Sequence, residues 1–143
     1  MTVPEIHMAT LVRAPRERVY DAFTRAEHLD AWFTTGAEVD ARAGGEMVWR
    51  WDRWGPDEVT AEDRGPVLEA RRPERYVFGW QEKLGGTTVE VDFEAHPEGT
   101  VVRLCDHGYP DTQEGRESLL DCATGWGEAL TLLKFYVEHG VRY

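Results

Sequence analysis

A carboxylate, an imidazole and a phenol stand close together near the end of a β-like run, as Asp106, His107 and Tyr109 in TVVRLCDHGYP. If Val102 and Leu104 face inward, period-two alternation turns Asp106 inward too. Isolated burial of a carboxylate costs several kcal/mol, so it must be paired or protonated. A salt bridge to an arginine on the same face, such as Arg53, or solvation at the sheet edge is the simplest outcome. Orientation of a ligand comes second. General acid–base chemistry with a raised pKa, carried by Asp106 or Tyr109, comes third.

Other reactive groups are scattered. Histidines 7, 28, 96, 107 and 139 fall on five different elements, with no H-x-x-x-H spacing, and neither Cys105 nor Cys122 has a C-x-x-C partner. Cys105 and His107, two apart on one strand face, make only a weak two-ligand signal, so no metal is expected. The chain holds no G-x-S-x-G elbow, P-loop or dinucleotide fingerprint. Gly44-Gly45 and Gly85-Gly86 read as turn chemistry, and no cofactor is expected.

The aromatic residues are more informative. Six tryptophans in 143 residues are generous, since each buried aromatic ring removes about 150–250 Å² from water. Any single one is most simply core. Their number and convergence point to a hollow bordered by Trp49, Trp51, Trp80 and Trp126, with Phe78 and Leu130 contributing and Trp32 near its mouth. Concave, mostly apolar surfaces with few polar groups are the usual form of a ligand site. Asp106 is the candidate polar group there. Trp54 either caps the hollow or covers a sheet edge.

Composition narrows the partners. Sixteen basic against 27 acidic residues give a net charge of −11, which repels phosphate backbones and anionic membranes. Nucleic acid and membrane insertion are therefore not expected; no apolar run approaches the roughly 20 residues of a spanning helix. The N-terminus MTVPEIHMATLV lacks the features of a secretory signal, so a cytoplasmic protein with reduced thiols is the expectation. The acidic stretch Asp57, Glu58, Glu62 and Asp63 reads as a solvated sheet face.

These side chains need a scaffold, and the punctuation predicts one. Residues 5–13 read as a strand, Pro15 opens a helix containing Val19, Ala22 and Phe23, and a T-x-x-E capping box at Thr24 and Glu27 starts a second short helix. EMVWRW, ERYVFGW and TTVEVDFEA alternate as strands, and a longer polar strand breaks at Gly65-Pro66 and resumes as VLEARR. Gly85-Gly86 signals a hairpin. From about 115 to His139 a stripe of Leu119, Cys122, Trp126, Leu130, Leu133 and Val137 marks an amphipathic helix closed by Gly140. It would span roughly 37 Å. Gly125 and Gly127 weaken it by roughly 1 kcal/mol each, which close approach to the sheet beside Trp126 would explain. The expected fold class is α+β: strand, two short helices, a curved antiparallel sheet and a long C-terminal helix packed across it, as one domain over residues 1–143.

Specific stretches carry a resemblance: APRERVYDAFTRAEHLDAWF (14–33), AGGEMVW, GPVLEARRPERYVFGW (65–80), TVVRLCDHGYPD (100–111), and the Gly-Trp pair ahead of Leu130 and Leu133. Together they resemble bacterial homologues of the heat-shock-protein ATPase activator, a branch of the START-like superfamily that includes polyketide cyclases and the birch-pollen allergen. The resemblance covers nearly the whole chain and implies a helix-grip fold. Relatives often carry His or Glu where this chain has Asp106. Three functions follow: a carrier or sensor of a small apolar or amphipathic molecule, a cyclase- or hydrolase-like enzyme using the same pocket, or a chaperone-activator-like interaction domain. Sheet edges and exposed aromatics make a homodimer an open expectation.

Overall fold

The computed structural model describes residues 3–143. Strand β1 (Ile6–Val12) leads into helices α1 (Arg16–Thr24) and α2 (Ala26–Trp32). Strands β2 (Glu38–Val39), β3 (Glu46–Trp54), β4 (Val59–Arg71), β5 (Arg75–Trp80), β6 (Thr87–His96) and β7 (Gly99–His107) follow, and helix α3 (Gln113–His139) closes the chain. The sheet order is β1-β7-β6-β5-β4-β3-β2, every described pair antiparallel. This is the α+β helix-grip arrangement that the sequence pattern predicts.

Alternation sets the two faces. Val89, Val91 and Phe93 of β6 and Val102 and Leu104 of β7 are buried, while Glu90, Asp92 and Glu94 engage Arg75 or Arg103 on the other face. The sheet is thus wet on one side and covered on the other. Helices α1 and α2 cover part of the concave face through Val19, Phe23, Leu29 and Trp32. Phe23 sits at the centre, with ring centroids 6.0–6.4 Å from Trp32, Trp49, Tyr76, Phe93 and Trp126.

Two local details differ from the sequence pattern. Thr24 does not cap α2: its hydroxyl donates back to the Tyr20 carbonyl oxygen at 2.8 Å, and Arg25 occupies the cap position without a side-chain bond. A threonine ending one helix has that i−4 carbonyl in reach, and this wins over the next helix's start. The cap at α3 does form, as Thr112 Oγ1 accepts from the Gly115 N–H at 3.0 Å.

The larger difference lies in β4. Gly65-Pro66 does not break the strand but changes its partner. Residues up to Pro66 pair with β3 and residues from Val67 onward pair with β5. At that corner the β4 and β5 backbones nearly touch: a Cβ on Gly65 would lie 1.9 Å from the Gly79 carbonyl oxygen, and one on Gly79 would lie 2.8 Å from Pro66 Cδ. Only residues without Cβ permit the crossing, and glycine kinks of this kind let a sheet curl.

Gly65→Ala should therefore destabilise the protein by about 2 kcal/mol or more, since overpacking against backbone cannot relax by a rotamer change. Urea denaturation measures it; an unchanged midpoint would show that the corner opens without cost.

Candidate functional site

Helix α3 makes its nearest backbone approaches to β1, α1 and α2 rather than to β3, β4 or β5. A cleft of about 480 Å³ lies where the helix and the curled half of the sheet diverge. Phe33, Trp51, Trp54, Trp80 and Trp126 line it with their rings. Register explains the sheet side: Trp51 lies opposite Ala61, Trp54 opposite Val59, and Trp49 opposite Asp63. Small residues on β4 leave the room that the indoles of β3 border. Phe33 meets Trp51 and Trp54 edge-on at 5.3 and 5.9 Å, and Trp80 lies 6.3 Å from Trp126.

Of the residues singled out by sequence, Trp51, Trp80 and Trp126 border the cleft. Trp49 is fully buried behind them, 5.3 Å from Trp80 and 6.1 Å from Trp126. Phe78 and Leu130 lie in the core. Trp32 is not at the mouth: it is fully buried and donates its indole N–H to the Ala22 carbonyl at 2.9 Å. The neighbouring Phe33, stacked on Trp32 at 5.1 Å, takes the cleft position. A two-helix turn ending at 32–33 does not reveal from sequence which ring points out.

Gly125 also lines the cleft, and a Cβ there would meet nothing within 4 Å. Gly127 would find only Met8, at 3.9 Å. Neither glycine serves close packing against the sheet; Gly125 leaves space in the cleft instead.

Asp106 faces inward as alternation requires, but it stands behind Trp126 rather than on the cleft surface. Its Oδ2 accepts hydrogen bonds from the Tyr109 hydroxyl at 2.7 Å and from Trp126 Nε1 at 3.0 Å. Among the described residues no arginine reaches it; Arg53 is exposed near the end of β3. Oδ1 is buried without a partner among the described residues. Burial pushes the carboxyl above its ordinary value, against the opposing effect of the Tyr109 and Trp126 bonds and of His107. The arrangement holds Trp126 in place, and through it one side of the cleft.

Cys122 lines the cleft, accepting from Gln81 Nε2 at 3.2 Å; burial pushes its thiol up. Two carboxylates complete the lining, Asp63 from β4 and Asp121 from α3. Sequence reading assigned Asp63 to a solvated face. The register instead divides that acidic stretch: Glu62 points outward to Arg50 and Arg64, while Asp63 shares the concave face with Trp49. Burial raises the Asp63 carboxyl above its ordinary value, opposed by Lys83 and helped by Glu62.

On the opposite face of the sheet, Glu5, His7 and Cys105, and Glu90, Cys105 and His107, form two groups whose ligand-type atoms lie within 4.8 Å of one another. Cross-strand register brings His7, Cys105 and Glu90 into one row, which spacing along one strand cannot show. Internal pairs account for both groups: Glu5 with His7 at 3.1 Å, and Glu90 with His107 at 2.7 Å and with Arg75.

The Asp106 cluster yields a prediction. A carboxyl with a raised folded pKa favours folding in its neutral form, and that contribution is lost as pH rises through the folded value. Asp106→Asn mimics the neutral acid, so its stability relative to the parent should increase from acid to neutral pH. Asp106→Ala orphans two buried donors and should cost about 2–4 kcal/mol at all pH values. Paired denaturation curves across pH measure both; a constant gap between parent and Asn variant would refute the raised pKa.

Comparisons with known proteins agree with the architecture. A comparison with curated protein sequences gives no match. Among solved structures, a Staphylococcus saprophyticus protein shares 24% identity with TM-score 0.79, covering 98% of this chain and 96% of its own. A structure described as the Aha1 dimer from Colwellia psychrerythraea shares 20% identity with TM-score 0.80, covering 96% and 98%. An AHSA1-like protein from Aeromonas hydrophila shares 22% with TM-score 0.78, covering 96% and 94%. At these identities the likeness concerns the fold. The family model described as activator of Hsp90 ATPase homolog 1-like protein matches residues 13–138, and the chain belongs to that family.

Proposed function

We propose that this protein is a small-molecule carrier or sensor that holds an apolar or amphipathic molecule in the cleft between the curled sheet and α3. The observation that carries this reading is the aromatic lining of a space of about 480 Å³, within the usual size of small-molecule sites and with few polar groups on its surface. Gly125 supports it: a helix-weakening residue stands where a side chain would fill the cleft. Trp51, Trp80 and Trp126 are its contact residues, with Phe33 and Trp54 added, and Asp106 acts behind Trp126 as a positioning residue.

The enzyme reading has less support. Asp106 accepts from both Tyr109 and Trp126, away from the cleft surface, and among the described residues no nucleophile–base pair lines the cleft. A chaperone-activating role rests on the family description alone, and one fold hosts many functions. The dimer named for the Colwellia structure makes a homodimer of this chain a fitting state to test. None of the described helices is long and apolar enough to cross a membrane, and we place the protein, as a single domain, in the cytoplasm.

Incubation with a total small-molecule extract, followed by native mass spectrometry against a denatured control, should give a discrete adduct lost on denaturation. Gly125→Leu should abolish the adduct while leaving the fold intact, because its side chain projects into free space on a helix it favours. An adduct that persists undiminished in that variant would place binding elsewhere, and a clean apo spectrum across several extracts would make the aromatics simply core.

A further inference from the structure

We infer that the molecule held in the cleft is an organic cation, an apolar body bearing a protonated amine whose charge sits against Asp63. This rests on the carrier reading above and adds the ligand's charge. Asp63 differs from the paired carboxylates that line the sheet's other face. Glu62 has Arg50 and Arg64, Glu69 has Arg71 and Arg75, Glu90 and Asp92 have Arg75, and Glu94 has Arg103. All of these carboxylates are paired with a cation of the protein. Asp63 is on the concave face, opposite the fully buried Trp49. Among the described residues it has neither an ion pair nor a hydrogen bond, and Lys83 comes no nearer than 4.0 Å. Asp121 faces the same space from α3, equally without a partner.

A carboxylate on an apolar surface calls for a compensating positive charge, and the lining supplies none. Among the described residues the cleft contains no Lys, Arg or His, and its two charged groups are both acidic. Its rings offer the complementary half of the interaction, since a cation over an indole face within about 6 Å is attracted by the ring's quadrupole. The net charge of −11 draws cations toward the molecule and repels anions. The indole N–H groups of Trp51, Trp54 and Trp80 also lack partners and would favour an acceptor, but those nitrogens are buried. The cleft surface shows the rings' carbon, the two carboxylates and Gln81, whose amide N–H is engaged with Cys122. A ligand carboxylate would meet two like charges there with no cation between them.

Three probes with one tail separate the possibilities: octylamine, 1-octanol and octanoate at neutral pH, titrated by calorimetry and by tryptophan emission. The protonated amine should bind about tenfold tighter than the alcohol, equivalent to about 1.4 kcal/mol, and octanoate weakest. Asp63→Asn should bring the amine-to-alcohol ratio close to one. Asp121→Asn, at the exposed rim, should lower the ratio less. Equal binding of amine and alcohol to the parent, a preference for octanoate, or a ratio unchanged in Asp63→Asn would overturn the inference and leave the carrier reading standing. Failure of all three probes to bind would remove the carrier reading and this inference together.

Discussion

Two backbones meet at Gly65 and Gly79 more closely than any side chain would allow, and the rest of the architecture follows from that contact. Above the crossing, β4 belongs to the main sheet with β5; below it, β4 belongs to β3. The change of partner turns the β3–β4 ribbon out of the plane that α3 can follow. The helix stays with β1 and the two short helices, and the separation becomes the cleft. A flat sheet with the same residues would bring Trp51 and Ala61 against the helix and leave no hollow.

Aromatic contact holds the two parts in register. Phe23 binds α1 to Trp49 of β3 and to Trp126 of α3, and Trp49 reaches Trp80 of β5. Such pairs add about 0.5–1.5 kcal/mol each beyond the area they bury. Asp106 anchors this set from behind. By holding the Trp126 indole and the Tyr109 hydroxyl on one oxygen, it fixes the helix at the height where the cleft begins, and it does so with an uncompensated carboxyl whose neutral form suits the site best. The cost of that burial and the precision of Trp126's position are the same fact viewed twice.

The scaffold was readable because its signals are periodic and local. Period-two runs in β5, β6 and β7 and the three-four stripe of α3 each declare a face without reference to the rest of the chain. The core position of Asp106 followed from Val102 and Leu104 by alternation alone. What escaped depends on partners far apart in sequence. Phe33 rather than Trp32 faces the cleft, because the chain leaves helical geometry at Phe33 just past the end of α2. Asp63 looked like one more member of an acidic stretch until pairing with β3 put it beside Trp49. Gly125 suggested tight packing because a weak helix former usually serves a neighbour; here it serves an empty volume, which no pattern of residues can announce. Thr24 had two competing uses, and the nearer acceptor took it.

The ribbon that carries Trp51, Trp54, Val59, Ala61 and Asp63 contributes few of the residues gathered around Phe23. Trp51, Trp80 and Trp126 belong to the core and line the cleft at once, whereas Val59, Ala61 and Asp63 of β4 line the cleft without joining the core. Substitutions at those β4 positions can accumulate while the core is left alone. Solved structures of the same shape at 15–24% identity show how far the sequence can move while the fold is kept.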